Sequence, residues 1–148
     1  MTNQENLKGS VIAGFINAAI NAGIQYFTFK KLNEIPVSLD LISNKEVTVF
    51  GTTVTVSLTL AVVLTLVAYF TLKVPKIPFY PRVMLILIKN VFFTFGVVTA
   101  FAVLWQYQFG TIYVSPFSAT VIVGIIGFVV AAIVNYLTVG EVMVDQKK

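Results

Sequence analysis

Hydrophobic positions fall into four long runs, roughly 7–29, 47–72, 83–109 and 114–139, separated by short polar or proline-bearing segments. Each run meets or exceeds the roughly 20 residues that carry an α-helix across a hydrocarbon core about 30 Å thick. Inside each run the polar positions recur every three or four residues, so they gather on one helical face. Apolar surface does not drive helices together in lipid. Small and polar side chains therefore mark where helices meet or where water runs. The pattern predicts an all-α integral membrane four-helix bundle, a single transmembrane domain over residues 1–148.

The first run carries Ser10, Gly14, Asn17, Asn21, Gln25 and Thr28 on one face. Three carboxamides in one membrane helix are unusual, since each has donors and an acceptor that hydrocarbon leaves unsatisfied. This face must turn toward other helices, as interhelical hydrogen-bonding groups, or toward water, as the lining of a solute route. Asn17 and Asn21 lie deepest, and with Gln25 they are the first candidates for such a route.

In the second run Thr48, Thr52, Thr55 and Thr59 share a face. A threonine hydroxyl can bond the carbonyl one turn earlier, so its burial in lipid is cheap. The third run holds Lys89, about two turns inside the span, followed by Asn90, Thr94 and Gly96. A lysine at a helix centre costs about 2.5–3.5 kcal/mol on insertion scales, and no acidic residue falls inside a predicted span. Lys89 either snorkels its ammonium to the nearby surface, meets a lipid headgroup, or, with Asn90, faces an aqueous route and favours anions there. The fourth run aligns Thr120, Gly124, Gly127, Ala131, Asn135 and Thr138. Gly124, Gly127 and Ala131 allow close backbone approach and predict a helix-packing surface against the first helix or a second copy.

The connections add orientation. Lys8, Lys73, Lys76, Arg82, Lys147 and Lys148 fall on one side, while Lys30, Lys31 and Lys45 fall on the other, mixed with Glu34, Asp40 and Glu46. By the distribution of basic residues both termini are expected in the cytoplasm. The tyrosines and Trp105 fall near run ends, at headgroup level. Pro75, Pro78 and Pro81 recur every third residue, which suits a stiff extended connector rather than a helix. The segment from Ile35 to Ser43 is expected to be either a short interfacial helix, with Leu39 and Ile42 dipping into the membrane, or a plain loop. Two short stretches match at a spacing of 110 positions: Val11 to Gly14 with Val121 to Gly124, and Gln25 to Thr28 with Asn135 to Thr138. Such echoes accompany the inverted repeats of many transporters, but two apolar helices also share residues by chance.

Composition narrows the chemistry. The chain is 57% hydrophobic and 11% charged, against about 25% charged in soluble domains. The formal charge of +4 sits at helix ends and implies headgroup contact rather than nucleic-acid binding. Cysteine and histidine are both absent, which removes disulfides, thiolate chemistry, histidine ligation of haem or metal, and the commonest general base. No phosphate-binding loop, dinucleotide fingerprint or nucleophile elbow occurs. Neither a catalytic residue, a cofactor nor a metal site is expected, and the protein is expected not to be an enzyme. In length and helix number the chain resembles the small multidrug transporters. Their glutamate in the first helix has no counterpart here, where Asn17 and Asn21 stand instead, so their proton coupling does not carry over. The four helices and asparagine-bearing face also share a general character, without a motif, with fluoride channels.

The sequence thus predicts a small channel or transporter for a small polar or anionic solute, with Asn17, Asn21, Gln25, Lys89 and Asn90 along the route. Because four helices enclose little space, a homo-oligomer is expected. The alternative is a non-conducting accessory, assembly or lipid-interacting subunit beside another membrane protein. The expected location is the lipid bilayer of a plasma membrane or a bacterial-type inner membrane.

Overall fold

The computed structural model describes residues 2–40 and 46–143. They form four long helices: α1 (Asn3–Phe29), α2 (Val49–Thr71), α3 (Met84–Phe109) and α4 (Pro116–Val142). All four are long and apolar enough to cross a membrane, α3 together with the kinked segment Phe79–Val83 that precedes it.

The helix starts are set by polar caps. Thr2 accepts from the Glu5 amide at 3.2 Å while the Glu5 carboxylate accepts from the Thr2 amide at 2.7 Å, a capping box that begins α1 four residues before its apolar run. Thr48 caps α2 through the Gly51 amide, and Ser115 caps α4, with Pro116 in the first helical position where no amide is needed. At the end of α2, Lys76 donates to the carbonyls of Tyr69 and Leu72 at 2.8 and 3.3 Å. A cation there satisfies orphan carbonyls and complements the helix dipole.

Helices consecutive in the chain alternate in direction, so α2 and α4 run parallel, with Leu60 beside Gly127 and Thr65 beside Thr138. α1 packs along α4, α4 along α2, and α2 along α3, whereas α3 and α4 meet over only a short stretch. The order in space is therefore α1, α4, α2, α3, with the outer helices the least buried. Both ends of the described chain lie on one side with the proline connector, where the Ile77 amide donates to the Val142 carbonyl at 3.0 Å. On the opposite side Ile35–Val37 (β1) pairs antiparallel with Ile112–Val114 (β2). The interfacial segment thus begins as a strand rather than a helix. Pro36 has no amide to donate, and β2 offers an edge that satisfies its neighbours. Leu39 is half-buried against the core and its amide donates to Gln106 Oε1 at 3.0 Å; Ile42, Lys45, Lys147 and Lys148 lie outside the described residues.

Small residues set the close approaches along α4. A Cβ on Gly124 would lie 3.4 Å from Ala22 of α1, and one on Gly127 would lie 3.8 Å from Leu60 of α2. Ala131 is fully buried. The small face of α4 therefore serves two neighbours in the same chain. Gly14 is tighter still, since a Cβ there would meet the Phe128 ring at 2.9 Å and its carbonyl oxygen at 3.0 Å.

Candidate functional site: a polar cleft between α1 and α2

α1 and α2 share no interface comparable with those each makes elsewhere, and a cleft runs between them beside α4. On the side of the termini it opens into a pocket of about 610 Å³, lined by Asn6, Ala13 and Asn17 of α1, Ala68 and Thr71 of α2, and Asn135 of α4. On the other side it holds a pocket of about 360 Å³, lined by Gln25 and Thr28 of α1 and Thr48, Thr52 and Thr55 of α2, with Asp40 and Glu46 at its rim. The two pockets take Asn17, Gln25 and Thr28 from the polar face of α1 and Thr48, Thr52 and Thr55 from that of α2, while Asn21 and Thr59 line neither.

The first-helix amides sit differently from one another. Asn17 Nδ2 donates to the Ala13 carbonyl and Asn21 Nδ2 to the Asn17 carbonyl, both at 2.8 Å and both half-buried. Each bond returns to its own helix, which leaves one amide hydrogen and the side-chain oxygen of each for a further partner. Gln25 is only 9% exposed. It lines the second pocket, and its carboxamide makes no hydrogen bond among the described residues. Thr55 and Thr59 return their hydroxyls to the Gly51 and Thr55 carbonyls at 3.1 and 3.0 Å, as helical threonines in lipid do.

Other polar groups are spent on holding helices together. Asn90 is 1% exposed and donates to Thr65 Oγ1 of α2 at 3.1 Å and to Thr138 Oγ1 of α4 at 2.9 Å. It ties three helices at one point and lies away from the cleft. Asn135 donates to Ser10 Oγ at 2.9 Å, Ser10 to Asn6 Oδ1 at 3.3 Å, and Asn6 to the Tyr136 carbonyl at 3.1 Å, a latch between α1 and α4. Asn6 lies outside the apolar run, and only the Thr2–Glu5 capping pattern places it on the helix.

Lys89 also stands apart from the cleft, on the α3–α4 side. α4 runs to Val142, three residues beyond its expected end, and so brings Glu141 into an ion pair with Lys89. The ammonium is directed toward the side of the termini, with the side chain 53% exposed. Asn17, Asn21 and Gln25 therefore share the α1 seam, two of them in the cleft pockets; Lys89 and Asn90 occupy other surroundings.

The 110-position echo has a physical counterpart. It relates Gly14 to Gly124 and Ala18 to Phe128, and the contact of Gly14 with Phe128 is matched by that of Gly124 with the Ala18 carbonyl at 3.9 Å. It also relates Asn135 to Gln25 and Ser10 to Thr120. Asn135 bonds Ser10, but Thr120 turns its hydroxyl to the Pro116 carbonyl at 2.9 Å, so Gln25 lacks the partner that Asn135 has.

Compared with known proteins, the chain matches no family model, no curated protein and no solved structure.

Proposed function

We propose that this integral membrane protein is a small channel or transporter that moves a small polar solute along the α1–α2 cleft, without chemistry of its own. The observation that carries the reading is the cleft itself. Two membrane-crossing helices direct carboxamides and hydroxyls toward a space they do not close against each other. In hydrocarbon each unsatisfied polar group costs several kcal/mol, so water, solute or a second chain must stand there. A homo-oligomer supplies the missing wall, since symmetry sets repeated seams around one axis. The charged rim residues, Glu5 and Lys73 at one end and Asp40 and Glu46 at the other, are mixed or acidic. They suit a neutral or cationic polar solute better than an anion. With Lys8, Lys73, Lys76 and Arg82 on the side of the termini, that side faces the cytoplasm of a plasma membrane or bacterial-type inner membrane.

The self-bonded amides of Asn17 and Asn21 favour the second reading, a non-conducting subunit whose cleft takes a helix of another membrane protein. Flux separates the two. Purified protein in liposomes loaded with small polar solutes of graded size and charge should release them, and Asn21→Leu should slow release by about ten-fold if one carboxamide lowers the barrier by a typical hydrogen bond. Unchanged release with folded Asn17→Leu and Asn21→Leu variants, or no release at all, would defeat the transport assignment.

A further inference from the structure

A second cleft lies on the other side of the molecule, between α3 and α4, and its chemistry is unlike that of the first. It encloses about 260 Å³ and is lined by Phe93, Val97 and Phe101 of α3 and Ile125, Val129 and Ile133 of α4, with almost no polar surface. The two helices meet at the Asn90–Thr138 contact and separate beyond it. Lys89 lies one turn from Phe93 toward the termini, and Arg82 precedes Lys89 by seven residues, in the kinked segment Phe79–Val83 that leads into α3.

We propose that the α3–α4 cleft binds one anionic phospholipid, with an acyl chain in the groove and the phosphate beside Lys89 and Arg82. Three observations fix this occupant. The groove walls are hydrocarbon, so they attract a chain and repel a polar solute. From Lys89 to Phe101 α3 rises about 18 Å, close to the roughly 15 Å half-thickness of a hydrocarbon core, so a chain whose head lies at Lys89 ends where the groove ends. Among the described residues, Lys89, Arg82 and Glu141 together make the charge at the mouth net positive. Glu141 takes one of the three ammonium hydrogens of Lys89 and holds the head at the surface, leaving two donors. Arg82 is exposed and makes no ion pair among the described residues. Two further basic groups of that side are used differently: Lys76 caps α2, and Lys73 lines the α1–α2 cleft.

The test is native mass spectrometry of protein released from bilayers holding equal amounts of phosphatidylglycerol and phosphatidylcholine with the same chains. The retained lipid should favour phosphatidylglycerol by about five-fold for each cation engaged. Lys89→Gln with Arg82→Gln should bring the ratio to about one, whereas Lys30→Gln with Lys31→Gln, on the opposite side, should leave it unchanged. Val129→Trp fills the groove and should remove the retained lipid whatever its head. Equal retention of the two lipids by the unmodified protein, a preference that survives the Lys89 and Arg82 substitutions, or lipid kept by a folded Val129→Trp variant would each overturn the assignment.

Discussion

A few side chains decide where the helices lock. Asn90 has almost no exposure and donates both amide hydrogens across helix boundaries, to Thr65 and Thr138. Interhelical hydrogen bonds in lipid average about 0.6 kcal/mol each, so Asn90→Ala should lower stability by about 1 kcal/mol or somewhat more, measured by denaturant unfolding in micelles. Thr59→Ala should be nearly silent, because that exposed hydroxyl bonds only its own helix. Gly14 and Gly23 make a second contrast on one helix. A Cβ at Gly14 runs into the ring and backbone of Phe128, whereas nothing lies within 4 Å of one at Gly23. Gly14→Val should cost about 1–3 kcal/mol as an overpacked interface; Gly23→Val should cost far less. Equal losses at the two positions would show that α1 does not lie on α4 along this line.

Between elements, the pairing α1–α4, α4–α2 and α2–α3 makes a specific claim about neighbours. The chain has no cysteine, so introduced pairs report cleanly. Ser10→Cys with Asn135→Cys should cross-link under mild oxidation within one chain, since the two side chains are 2.9 Å apart. Ser10→Cys with Phe93→Cys, on α1 and α3 at opposite ends of the helix order, should not. The Lys89–Glu141 pair joins α3 to α4 but is partly exposed, and such pairs contribute about 0–1 kcal/mol. Glu141→Gln should therefore leave stability nearly unchanged. Much of this level was legible beforehand. Apolar run length gave the four helices, and Gly124, Gly127 and Ala131, aligned by their i+3/i+4 recurrence, lie where α4 nears Ala22 and Leu60 or is buried. The ends were not, because hydropathy measures the hydrocarbon part of a helix and not its capped turns. Thr2 with Glu5 extends α1 back to Asn3, and α4 continues past Val139 to Glu141, which supplies Lys89 with a partner that the apolar runs alone do not contain.

At the scale of the whole molecule, the spacing along α1 shows that its amides share one face, but not what that face meets. That depends on which helices are neighbours, and periodicity within one helix carries no such information. Asn90 and Gln25 show the difference. Both are buried carboxamides, yet one is consumed by two threonines of other helices while the other lines a pocket. The resulting molecule has two clefts of different character, one with polar side chains between α1 and α2 and an apolar one between α3 and α4, and transport is proposed for the first alone. Its central requirement is that the α1 seam meets water inside the membrane. Single cysteines along α1, probed in liposomes with a water-soluble thiol reagent, test this directly. Asn17→Cys, Asn21→Cys and Gln25→Cys should react, while Phe15→Cys and Ala19→Cys, which line the apolar opposite side of α1, should not. Reaction at Phe15→Cys and Ala19→Cys with none at the three seam positions would contradict the account.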